Sequence, residues 1–105
     1  MPEITTRSDD GPTRVVVVTG EVIDPSHATE LYDAICEEVH NRAKTIEVDL
    51  GGVDLFGSQG INGLLHAFQD AKRLGCAVTV VAASPFVRRV LEITDLVELL
   101  GLDQG

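Results

Sequence analysis

The chain has 105 residues, and its 17 acidic against 8 basic side chains give a formal net charge of −9. That excess opposes a phosphate backbone, which argues against a nucleic-acid partner. Fully apolar runs such as Val15 to Val18 fall far short of the roughly 20 residues that cross a bilayer, which argues against a membrane partner.

The length suits one domain over residues 1–105, large enough for a single core. Ile4 to Arg7 reads as a short strand, and Ser8-Asp-Asp-Gly-Pro12 carries the residues of a turn, so a hairpin into the next strand is expected. Arg14 to Thr19 contains four valines in succession, a pattern that fits a central strand buried on both faces. Asp24-Pro25-Ser26 supplies an N-cap with proline in the first turn. Ala28, Leu31, Tyr32, Ile35 and Val39 follow at helical spacing, predicting a helix to about His40.

Thr45 to Leu50 alternates, with Ile46, Val48 and Leu50 facing one way and Thr45, Glu47 and Asp49 the other. A second helix is expected from near Ser58 to about Leu74, carried by Ile61, Leu64, Leu65 and Phe68 and stopped by Gly75. Ala77 to Ala82 forms another strand. Ser84-Pro85 caps a third helix with Phe86, Val87, Val90 and Leu91 on its apolar side, and Leu96 to Leu100 is a last short apolar segment. The order β-β-α-β-α-β-α defines an α/β fold with right-handed crossovers and a mixed, mostly parallel β-sheet. Alternation in Thr45 to Leu50 favours helices packed mainly on one face.

Gly51 to Leu65, reading GGVDLFGSQGINGLL, is the most informative stretch. It sets the hydroxyl of Ser58 among glycines where a strand leads into a helix. The unpaired N–H groups there can accept the serine as a cap or stabilise a phosphate attached to it. Gly57-x-x-Gly60-x-x-Gly63 has neither GxGxxG spacing nor the lysine of a P-loop, so it points weakly to a nucleotide and no cofactor is expected. Cys36 and Cys76 stand 40 positions apart without a CxxC motif, and they read as small buried hydrophobes in a reducing compartment. His27, His40 and His66 form no metal-ligating pattern. His66 and Asp70 are four residues apart and read as a solvated pair on the outer face of the second helix. No basic segment precedes an apolar one at the start of the chain, so the expected location is cytoplasmic.

Asp49-Leu-Gly-Gly-Val-Asp-Leu-Phe-Gly-Ser58-Gln-Gly-Ile61, the element order and the later Val87-Arg-Arg-Val-Leu-Glu-Ile-Thr94 together resemble the STAS domain of bacterial anti-sigma factor antagonists. The resemblance covers nearly the whole chain. It implies a STAS-like fold and a regulator that is a kinase substrate and not itself an enzyme. Ser58 matches the serine that an ATP-dependent anti-sigma factor with serine kinase activity phosphorylates and a serine phosphatase restores. The unmodified antagonist binds the anti-sigma factor and frees a sigma factor. The resemblance and the loop positions give Asp24, Asp54, Phe56, Gly57, Ser58, Gln59, Gly60 and Asn62 as the partner-binding set. Gly57 replaces the usual acidic residue and Gln59 the usual second hydroxyl, which motivates the alternative of a non-phosphorylated STAS adaptor or scaffold subunit. The segment Leu96 to Leu102 stands where many members carry a further strand and helix.

Overall fold

A computed structural model describes residues 2–101, with Asp9 and Asp10 described by their backbone alone. β1 (Glu3–Asp10) and β2 (Thr13–Val22) form the expected antiparallel hairpin, with Ile4 opposite Val18 and Arg7 opposite Val15. β1 is longer than the sequence suggests. The reversal is confined to Gly11 and Pro12, where Gly11 takes φ 57°, and a register shift between Ser8 and Asp10 absorbs the remaining turn residues. A left-handed φ is a conformation that glycine reaches without steric penalty.

α1 (Pro25–His40) crosses from β2 to β3 (Thr45–Phe56), and α2 (Ser58–Arg73) crosses from β3 to β4 (Ala77–Ala83). Both strand pairs are parallel, and the sheet order is β1-β2-β3-β4. α3 (Pro85–Ile93) follows β4 and contacts β3 and β4. α1 and α2 pack side by side over one face of the sheet. Their Leu31, Ile35, Leu64 and Ala67 bury against Val16, Val18, Ile46, Val48, Leu50, Val78 and Val80. On the alternate face, Val17, Glu47, Asp49 and Thr79 are half-buried. The period-two pattern thus chooses which face receives the helices.

Arg14 stands on the helix side of β2, and its Nε lies 2.6 Å from Oε1 of Glu38 on α1, a residue only 3% exposed. Removing Arg14, whose side chain is a third exposed, would leave the enclosed Glu38 carboxylate without compensation.

β3 departs most from its expected bounds. It runs past Leu50 through two glycines to Phe56, where the sequence reads as a loop. Gly52 sits opposite Thr19, and a Cβ built on it would lie 2.7 Å from Thr19 Cγ2. Glycine is therefore a strand residue here, selected by close approach of a neighbouring side chain. After α3, Leu96 and Val97 pack on the core, and buried Leu100 accepts a hydrogen bond from the Val80 N–H at 2.8 Å. Leu102 lies outside the described residues. No helix among the described residues is long and apolar enough to cross a membrane.

Candidate functional site

Because β2, β3 and β4 are parallel, the turns that leave them emerge at one end of the sheet, the end at which open α/β sheets place their sites. Each turn is short. Ile23 and Asp24 lead into α1, Gly57 into α2 and Ser84 into α3. The Gly57 N–H donates to the Val22 carbonyl at 3.0 Å, which joins the first two turns. Ser84 donates its hydroxyl to the Val53 carbonyl at 2.6 Å and accepts from the Val87 N–H at 3.2 Å, so it ties the third turn to β3 while capping α3.

Two helices start as their sequence predicts. Asp24 is the N-cap of α1 with Pro25 next, and Ser84 caps α3 ahead of Pro85. At Asp24 the buried His27 adds a further lock, since its Nδ1 accepts from the backbone N–H groups of Ile23 and Asp24 at 3.3 Å. The second ring nitrogen, Nε2, lies 3.7 Å from Asp24 Oδ2. His27 therefore shapes the turn from beneath. It was not among the residues singled out for function, and its only sequence signal is a histidine three positions after the N-cap.

α2 starts differently. Its N-cap is Gly57, in extended conformation with φ −100°, and Ser58 is the first residue of the helix, with an exposed side chain. Gly57 has no side chain to satisfy the first-turn N–H groups, and Ile61 supplies the first intrahelical bond, to the Gly57 carbonyl at 3.1 Å. Ser58 is thus not the cap, although serine is a favoured cap residue. The hydroxyl projects at the positive end of a 16-residue helix whose first N–H groups carry no side-chain acceptor.

The other expected partner-binding residues divide by depth. Asp24, Asp54 and Asn62 are exposed, and Gly57 and Gln59 are half-buried. Phe56 is 2% exposed and Gly60 is buried beside it. A Cβ on Gly60 would lie 2.8 Å from both Phe56 Cε1 and the Val22 carbonyl oxygen, so this pair supports the loop from below. Ile23 and Leu55, at 38% and 41% exposure, add apolar surface to the same end of the sheet, and Ile23 lies against Gly57. From Gln59 a groove of about 380 Å³ runs between the helices, lined by Pro25, Thr29 and Tyr32 on α1 and Asn62 and His66 on α2.

Farther along that groove, Tyr32 donates its hydroxyl to Asp70 Oδ2, and Arg73 donates to Asp70 Oδ1. Asp70 is therefore a bridge between α1 and α2, not the solvated mate of His66. The Tyr32 hydrogen bond, followed by the Arg73 charge, holds the Asp70 carboxyl below its usual range. The same bond to Asp70, aided by Cys36, pushes the Tyr32 phenol above its ordinary value of 10.0. Burial raises the thiols of Cys36 and Cys76, both of which are free.

The chain has one tyrosine and no tryptophan, so its ultraviolet pH titration reports this bond directly. Phenolate absorbance should begin to rise only well above pH 10.0, and Asp70→Asn should return the transition toward that value. The bond's contribution to stability is complete below the unfolded phenol's pKa and fades as pH rises through the higher folded value. For Asp70 the contribution is present above the usual carboxylate pKa and fades as pH falls through its lowered folded value. A wild-type transition near 10.0 would show that the bond does not hold in solution. Among the described residues no group of three or more histidine, cysteine, aspartate or glutamate side chains could hold a metal.

A four-stranded mixed sheet with α1 and α2 on one face, and a lone exposed serine where β3 passes into α2, is the arrangement of a STAS domain. The family model described as Mlab, STAS domain matches residues 5–101, and the chain belongs to that family. Among solved structures, an anti-sigma factor antagonist from Mycobacterium paratuberculosis is 29% identical with a TM-score of 0.81, over 95% of this chain and 83% of that one. The antagonist SpoIIAA in its unphosphorylated form is 19% identical with a TM-score of 0.74, over 90% of this chain and 82% of that one. The Bacillus SpoIIAA in its phosphorylated form is 17% identical with a TM-score of 0.69, over 90% and 85%. At these lower identities the likeness is one of fold. No curated protein matches the sequence.

Proposed function

We propose that this chain is an anti-sigma factor antagonist whose partner is an anti-sigma factor with serine kinase activity, and that phosphorylation of Ser58 ends the association. The observation that carries the reading is the exposed Ser58 hydroxyl at the first position of a helix capped by glycine. Solved antagonists with this fold, one of them phosphorylated, support it. The surface offered to the partner comprises Asp24, Asp54, Gln59 and Asn62 around Ser58, held by the buried Phe56 and Gly60. Sigma-factor release and a restoring serine phosphatase complete the cycle, in the cytoplasm.

Ser58 Oγ attacks the γ-phosphorus of the kinase-bound ATP, the bond to the β,γ-bridging oxygen breaks so that ADP leaves, and the hydroxyl proton passes to a base of the kinase. The phosphoserine formed carries about −1.5 to −2 charges and three acceptor oxygens. The free N–H groups of the first turn of α2 can face those oxygens, a favourable contribution of about 0.3–1 kcal/mol at an exposed helix end. The antagonist therefore keeps its fold when modified. The partner meets a charge it must desolvate, at a cost of several kcal/mol where no cation answers it.

Incubation with the cognate kinase and Mg-ATP, followed by intact-mass measurement, tests the reading. One added phosphoryl group is expected on the wild type and none on Ser58→Ala. Failure of the wild type to gain mass while still binding the partner would leave the non-phosphorylated adaptor, the reading that Gly57 and Gln59 motivate.

A further inference from the structure

β1 ends the sheet on one side, so the main-chain N–H and C=O groups that it directs away from β2 are available to another strand. Its register with β2 fixes its faces. Ile4 and Thr6 lie on the helix side with Val18 and Val16, while Glu3, Thr5 and Arg7 lie on the other side with Thr19, Val17 and Val15. All three of the latter are exposed, and no proline interrupts Glu3 to Arg7. Charged side chains on an edge strand commonly repel a foreign strand. These two charges are opposite and symmetrically placed about Thr5.

We propose that the outer edge of β1 binds β1 of a second copy of this chain, antiparallel, about a two-fold axis through Thr5 and normal to the sheet. Glu3 then stands opposite the partner's Arg7, and Arg7 opposite the partner's Glu3. Thr5 faces its own copy. Opposite-charge and Thr–Thr pairs directly across antiparallel strands are favourable, and like charges in those places are not. Moving the axis one residue, to Thr6, puts Arg7 opposite Thr5 and Glu3 opposite position 9, an aspartate in the sequence. Moving it to Arg7 stacks that residue on itself. Only the axis through Thr5 answers both charges, so the charge pattern selects a single register.

Joining two edges in this way makes one eight-stranded sheet, with α1 and α2 of both copies on the same side. The contact is independent of the reading given to Ser58, because β2 separates β1 from the β3 end that carries that serine. A single strand pair is a small interface. Each copy also brings a net charge of −9, so association belongs at physiological ionic strength, where the Debye length is about 8 Å.

Sedimentation velocity across micromolar to millimolar concentrations tests the proposal, with far-UV circular dichroism confirming that each surface variant remains folded. The wild type should pass from monomer to dimer. Arg7→Glu and Glu3→Arg should each raise the dimer dissociation constant about tenfold or more, since each creates two like-charge pairs per dimer. The double exchange Glu3→Arg with Arg7→Glu should restore it. In a Cys36→Ser background, Thr5→Cys treated with diamide should yield a disulfide-linked dimer, because directly opposed strand residues fall within bridging distance. Glu3→Cys, whose opposite residue is Arg7, should not. A wild type that stays monomeric throughout overturns the proposal, as does a dimer indifferent to Arg7→Glu or a Thr5→Cys variant that fails to cross-link.

Discussion

Ser58→Asp should weaken binding of the cognate anti-sigma factor about a hundredfold, roughly 2.7 kcal/mol, while leaving the fold at least as stable as wild type. The two halves of that result have one origin. Ser58 is exposed at the first position of α2 behind a glycine cap, and a carboxylate there meets the positive end of the helix, worth about 0.3–1 kcal/mol of stability. At an interface the same carboxylate must shed its water, and the several kilocalories that this costs are recovered only if the partner presents a cation. Ser58→Ala should bind like wild type, since Ser58 is not the cap of α2 and its truncation leaves no buried polar group unpaired. Calorimetric titration of the three proteins with the anti-sigma factor measures the difference. Equal affinity of Ser58→Asp and wild type would remove the switch and leave an adaptor.

Gly63→Val should destabilise the protein by about 1–3 kcal/mol, the range for forcing extra carbon into a filled contact. A Cβ at Gly63 would stand 2.8 Å from the Ala28 carbonyl oxygen and 3.2 Å from Ala28 Cα. Both atoms are backbone and cannot swing aside, so relief requires α2 to move off α1. For a domain of this size each kilocalorie lowers the melting temperature by about 4–8 °C. The movement would also widen the groove beside Gln59 and break the geometry of the Tyr32–Asp70 bond. Thermal unfolding followed by circular dichroism gives the first effect, and the tyrosine titration gives the second. An unchanged or raised melting temperature would show that the helices have room to spare, because glycine itself costs a helix about 1 kcal/mol relative to alanine.

The element order and the buried face of the sheet were legible because they rest on local periodicity. Ile46, Val48 and Leu50 alternate with polar neighbours, and Leu31 and Ile35 recur at helical spacing, before any tertiary contact is considered. The STAS motif around Ser58 was legible for a similar reason, since it occupies one continuous stretch. What escaped depends on contacts across the fold. Gly51 and Gly52 look like loop residues until Thr19 is seen to occupy the space that a side chain at Gly52 would need. Serine at a helix start suggests a cap, but the preceding glycine can cap without a side chain, and the choice turns on how the β3 end bonds to Val22. Asp70 pairs with Tyr32, 38 positions away, and only the packing of α1 on α2 reveals it. Phe56 and Gly60 read as surface because they flank Ser58, whereas the turn folds both inward.

The two margins of the sheet are finished differently. Along β4 the chain's own Leu100 lies across the middle of the strand, its carbonyl taking the Val80 N–H. That margin cannot accept a full-length strand from outside until Leu100 is displaced. A molecule with two receptive margins could add copies without end, as fibril-forming sheets do. One receptive margin, used by its own twin about a two-fold axis, is consumed in the act of joining, so growth halts at two. The turn that follows α3 thereby guards the chain against running on into a filament.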